Sequence, residues 1–180
     1  MIWPFNFFFK KYPAPATVWI DDSGLGSLYG GAIILLTDGE NDYYGEIPVK
    51  VYWIQDKEER KKKVESEVVK IIKKGLKALH VNKKATEIFT CRGPVFDGPM
   101  AKFKKMGYKI ARVKIEGRAN DEAENVFEKI LKERYKIEVK NRKDHRGENI
   151  KQYDTLRKRR DFKNVKQSSR GVAEIMSIKA

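Results

Sequence analysis

Ala16-Thr17-Val18-Trp19-Ile20-Asp21, Gly30-Gly31-Ala32-Ile33-Ile34-Leu35-Leu36-Thr37 and the run from Tyr43 to Ile54 follow one another near the start of the chain. The first two are apolar, rich in β-branched residues and bounded by glycines, the pattern of buried strands. Asp38-Gly39 supplies a tight turn before the third, so a hairpin is expected there. The period then changes. From Lys57 to Leu79 the residues Val64, Val68, Ile71, Ile72, Leu76 and Leu79 recur at helical spacing, with lysines covering the other face. Thr86 to Cys91 predicts a fourth strand. Pro99 to Met106 predicts a helix that Gly107 can end in a left-handed conformation. Lys109 to Glu116 alternates as a fifth strand. A last helix, capped by Asn120 or Asp121, should run to Tyr135 with Ala123, Val126, Phe127, Ile130 and Leu131 inward.

The order is therefore βββαβαβα. Three antiparallel strands followed by two β-α units place strands 1, 4 and 5 side by side in parallel, through right-handed crossovers. The fold class expected is α/β, a five-stranded mixed sheet flanked by helices over residues 16–135. Residues 1–15 form an aromatic N-terminal segment, and residues 136–180 a basic C-terminal extension. The element order resembles that of the ribonuclease H-like fold, and fold alone does not give function.

Composition narrows the partners. The 180 residues hold 39 Lys and Arg against 25 Asp and Glu, a net charge of +14, and 41% of them are hydrophobic. That apolar content supports a sizeable core and excludes wholesale disorder. The charged fraction, 36%, with its Lys/Glu excess, resembles hyperthermophile proteins. A positive field of this size favours polyanions. One cysteine, Cys91, excludes an intramolecular disulfide framework, and with only His80 and His145 there is no Cys/His zinc site. The apolar start, interrupted by Pro4 and Asn6, lacks the basic lead and small-residue cleavage site of a signal peptide, and no run approaches a membrane span. A cytosolic protein is expected.

Ile20-Asp21-Asp22-Ser23-Gly24-Leu25-Gly26-Ser27 carries the most specific signal. It resembles the first-strand motif of type 2 ribonucleases H, Asp-Glu-Ala/Ser-Gly-Arg-Gly. Asp21 matches the catalytic Asp, Asp22 stands for the Glu, and Ser23, Gly24 and Gly26 match. Leu25 replaces the Arg, a departure that weakens any expectation of ribonucleotide-junction specificity. Asn120-Asp121-Glu122-Ala123-Glu124 resembles the last-helix head of junction-resolving members of the same superfamily. The whole chain resembles, more loosely, an uncharacterised archaeal ribonuclease H-like group. The resemblance implies a carboxylate site (Asp21, Asp22, Asp121, Glu124) around Mg²⁺ or Mn²⁺, which favour oxygen ligands. Asp97 could add a bridging ligand beyond strand 4, and Glu65 is a reserve. Two such ions can activate water and stabilise the leaving oxygen of a phosphodiester.

Plainer readings stand beside these. Asp22-Ser23-Gly24 reads also as an ordinary turn, Asp97-Gly98 as another, and Asp121-x-x-Glu124 as a capping box. Cys91 reads as a buried strand residue. Trp3, Phe5, Phe7, Phe8, Phe9 and Tyr12 suit packing on the core or on another subunit, hence a homo-oligomer, or stacking on unpaired bases. Residues 136–180 hold 14 Lys and Arg against 6 Asp and Glu, and Arg157-Lys158-Arg159-Arg160 is either a solvated face or a phosphate contact. Together these imply a metal-dependent nuclease acting on single-stranded DNA, with degradation from an end as the expected mode. The alternatives are a binding protein without turnover and an RNA- or junction-cleaving nuclease.

Overall fold

The computed structural model describes residues 13–27, 29–138 and 166. Strand β1 (Thr17–Ser23) pairs antiparallel with β2 (Ala32–Thr37), which pairs antiparallel with β3 (Asp42–Ile47). On its other side β1 runs parallel to β4 (Glu87–Thr90), and β4 parallel to β5 (Lys109–Arg112). The five-stranded sheet has the order β3-β2-β1-β4-β5. β1, which carries the Asp-Asp pair, is its central strand. The expected mixed α/β sheet is present.

Helices α1 (Lys57–Ala78) and α2 (Asp97–Lys105) cover one face, and α3 (Arg118–Tyr135) covers the other. Side chains alternate across a strand, so β2 serves both layers. Ala32, Ile34 and Leu36 join Val18, Ile20, Val68, Ile72 and Phe103 in the larger core under α1 and α2. Ile33 joins Tyr29, Phe127, Leu131 and Ile137 in a smaller one under α3. All six β2 residues are buried, which explains why the strand reads as an unbroken apolar run. Charged ties supplement the small core: Arg118 donates to Thr37 and Asp42 at 2.9 and 3.0 Å, and Arg134 pairs with Glu46.

Three expectations are corrected. The third strand stops at Ile47, and Pro48, which cannot donate to a ladder, leads into a 3₁₀ turn over Val49–Trp53. The fifth strand ends at Arg112 rather than Glu116, since β4, its only partner among the described residues, ends at Thr90. The last helix begins at Arg118 after Gly117, whose φ of 70° favours glycine, so neither Asn120 nor Asp121 caps it. Gly107 does end α2 with a φ of 89°, as expected. The aromatic residues 3–12 and Arg157, Lys158, Arg159 and Arg160 lie outside the described residues. Among the described residues no helix is long and apolar enough to cross a membrane.

Candidate metal centre

Parallel neighbours β1 and β4 end at the same edge of the sheet, and the loops after them meet there. Cys91 N donates to Ile20 O at 3.1 Å just past β4. Its thiol donates to Asp22 Oδ1 at 3.2 Å. Potential ligand atoms of Asp21, Asp22 and Cys91 all lie within 4.8 Å of one another, the one such group among the described residues. By the alternation along β1, Asp22 shares the α1/α2 face with Val18 and Ile20, whereas Asp21 points toward α3. The site thus straddles the sheet.

Burial dominates its electrostatics. Asp21 is only 6% exposed, and desolvation raises its carboxyl above the usual range against the pull of the Asp22 N–H and the Cys91 thiol. Asp22 is pushed up to about 6, first by burial and then by the charges of Asp21 and Glu124, with the Cys91 thiol and Lys166 opposing. Burial and the Asp22 charge likewise hold the Cys91 thiol well above its ordinary value, so it stays protonated without a cation. A divalent ion would relieve all three strains.

The surroundings leave room for one. A Cβ on Gly93 would come within 3.2 Å of Asp22 Oδ1 and 3.5 Å of Cys91 Sγ, space the glycine keeps open. Arg112 fixes the loop that carries these atoms by donating to Cys91 O, Gly93 O and Asp97 Oδ1, each at 2.8 Å. The buried hydroxyls of Ser23 and Tyr52 make no hydrogen bond among the described residues. Ser23 follows the carboxylates in the chain, and burial, with the Asp22 charge behind it, holds the Tyr52 phenol above its ordinary range. Unsatisfied polar groups beside buried carboxylates suit a hydrated ion better than a dry core. The donor set fits a divalent metal.

The remaining sequence-predicted residues are placed differently. Glu124, half-buried on α3, is near enough for its charge to act on Asp22. The capping reading of Asp121-x-x-Glu124 falls, because α3 starts three residues before Asp121. Asp121 is exposed in the first turn and is not in the ligand group. Asp97 opens α2 and is bound to Arg112. Glu65 lies against Gly98, where a Cβ would meet its Oε2 at 2.7 Å.

Two participants were missed in the sequence. Cys91 is not a plain strand residue, and only the pairing of β4 with β1 brings it to Asp22. Lys166 comes from a segment with no apolar pattern. Its side chain is buried, its ammonium donates to Gly24 O and lies 4.8 Å from the centre of the Tyr52 ring. Burial pushes it down to about 7, against the favourable charges of Glu46 and Asp22.

The turn after β1 is held from the α3 side. Gly24 has a φ of 83°, and a Cβ there would come within 2.3 Å of the Phe127 ring. Glycine therefore lets α3 close directly on the loop behind the carboxylates. Set against models of protein families and against curated proteins, the chain matches none.

Proposed function

We propose that this protein is a divalent-metal-dependent nuclease with a ribonuclease H-like fold, hydrolysing phosphodiester bonds of single-stranded DNA from an end. The observation that carries the reading is the meeting of Asp21, Asp22 and Cys91 at the ends of two central parallel strands. The sheet order and the first-strand motif support it. Asp21 and Asp22 would hold Mg²⁺ or Mn²⁺, and the sulfur donor makes Mn²⁺ the better fit of the two. A bound ion supplies an activated water and stabilises the leaving oxygen. Glu124 adds negative charge beside Asp22, and Arg112 keeps the Cys91–Gly93 loop in place.

End-labelled single- and double-stranded DNA and RNA, incubated with Mn²⁺, with Mg²⁺ or with chelator, test this directly. Metal-dependent shortening of single-stranded DNA is expected, and no product from any substrate would sink it. Metal choice has its own readout. Co²⁺ bound to the protein should show sulfur-to-metal charge transfer in the near ultraviolet, and C91S should remove it.

A second reading, nucleic-acid binding without turnover, is favoured by Lys166. Its buried ammonium offsets the charge of Asp22 from inside the chain, as a metal would from outside. If it replaces the metal, the protein should bind single strands but take up no Mn²⁺.

A further inference from the structure

Two stretches of the chain contain no acidic residue. Between Glu67 and Glu87 there are six lysines (Lys70, Lys73, Lys74, Lys77, Lys83 and Lys84). Between Asp97 and Glu116 there are a further five lysines and Arg112. The fold lays these stretches side by side. Glu65, more than two turns into α1, lies against Gly98 at the head of α2, and both helices pack on the same face of the sheet. At their far ends Lys83 reaches over the Tyr108 ring, 5.1 Å from its centre. Lys73, Lys74, Lys77, Lys84, Lys104 and Lys105 are exposed around that junction, and among the described residues none of them makes an ion pair.

Such a surface is costly for the free protein. Like charges at i,i+3 and i,i+4, as in Lys70–Lys73–Lys74–Lys77, oppose helix formation. Lysines in the last turns of α1 and α2 complement the helix dipoles, but that effect is confined to the last turn. Lys70 pairs with Glu67 at 2.9 Å, but neither that pair nor the dipole accounts for Lys83 and Lys84. Among the described residues the opposite layer has no comparable surface. α3 carries five acidic residues against four basic ones, and two of the basic ones, Arg118 and Arg134, are paired with Asp42 and Glu46 on β3.

We infer that the junction of the C-terminal ends of α1 and α2 is a binding surface for the phosphodiester backbone of a nucleic acid strand. It lies at the other end of the sheet from Asp21 and Asp22. From Glu65, beside the head of α2, to its end at Ala78, α1 runs roughly 20 Å. The surface therefore acts as an anchor remote from the carboxylates, holding the strand by charge without reading its bases. Ammonium groups spread over two helices and a loop match an extended polyanion rather than a single phosphate. The inference shares with the proposed nuclease the need for a nucleic acid partner, but not the need for cleavage.

The test uses the full chain in chelator, with a fluorescent single-stranded DNA oligonucleotide titrated at several salt concentrations. K77Q/K104Q/K105Q removes three charges from the junction, and K129Q/K132Q/K136Q removes three from the α3 side. The first set should flatten the slope of log K against log salt by up to about 2.1 units, at about 0.7 for each phosphate no longer neutralised. The second should leave it nearly unchanged. Equal changes in both sets, or none in the first, would overturn the inference. So would absent oligonucleotide binding alongside retention on phosphatidylserine vesicles. If the slope behaves as expected but no metal yields product, the anchor stands and the nuclease reading falls.

Discussion

The two layers flanking the sheet are built on different terms. The α1/α2 layer buries a large apolar cluster and turns a lysine-rich surface outward, free of acidic residues over the C-terminal halves of both helices. Among the described residues the α3 layer buries a smaller cluster, α3 itself is close to neutral, and Arg118 and Arg134 tie it to β3. Attachment by a small core and exposed ion pairs is the weaker kind, because surface pairs contribute little. The strong layer sets the frame, and the weaker one closes on the loop behind the carboxylates through Phe127 and Gly24. The candidate site sits on the seam, with Asp22 facing one layer and Asp21 the other.

If the seam is the site, both carboxylates are needed. D21N and D22N should each lower nuclease turnover by more than about 100-fold, since even changes to groups behind a metal ligand cost 10–100-fold. Turnover with each purified variant, folded by circular dichroism, checks this. Near wild-type activity in either would confine the chemistry to one layer.

Packing gives the next largest effect. F127A should cost about 3–5 kcal/mol and I72A about 2–5 kcal/mol, both from cavities in the core. Their distribution should differ. Hydrogen exchange in F127A should quicken mainly along α3, while I72A should loosen the whole molecule. Uniform loss of protection in F127A would show that the two layers unfold as one.

Lys166 makes the contrast depend on pH. Its folded value is lowered to about 7, so above that pH the unfolded chain holds more protons and stability should rise with pH. Asp22 has the opposite sign. Its folded value is raised to about 6, so stability should fall as pH climbs from about 4 to about 6. Melting temperatures of wild type, K166M and D22N across pH 4 to 10 separate the two. K166M should lose the alkaline rise and D22N the acidic fall. Gly24 O keeps the Ser27 N–H in K166M, so no carbonyl is orphaned.

The smallest effect expected is that of E124Q. Glu124 lies inside α3 and caps nothing, so stability should change by no more than about 0.5 kcal/mol. Removing its charge should bring Asp22 down toward the usual carboxylate range, which carboxyl NMR titration would show. A large loss of stability at unchanged Asp22 titration would return Glu124 to a structural role.

Strand and helix periods made most of the architecture legible. β2 shows as an unbroken apolar run because both its faces are covered, and the amphipathic α1 and α3 write their faces into the chain at a spacing of 3.6 residues. Ends were less legible. Where β3 and β5 stop depends on Pro48 and on the length of a neighbouring strand, and the start of α3 on a glycine at positive φ. The Asp21-Asp22 pair was readable because both carboxylates belong to one local motif. Cys91 and Lys166 were not, being 69 and 144 residues from Asp22 and brought to it only by tertiary packing.

By itself the sequence determined the order of elements, the parallel placement of β1, β4 and β5 that right-handed crossovers require, and the positive charge of the whole. Only the tertiary structure decided which lysines share a surface, which acids find an arginine, and which donors meet at the ends of β1 and β4. Those outcomes depend on distance through space and on desolvation. A local pattern can specify the face of a helix or strand, but not the charge that another element will bring against it.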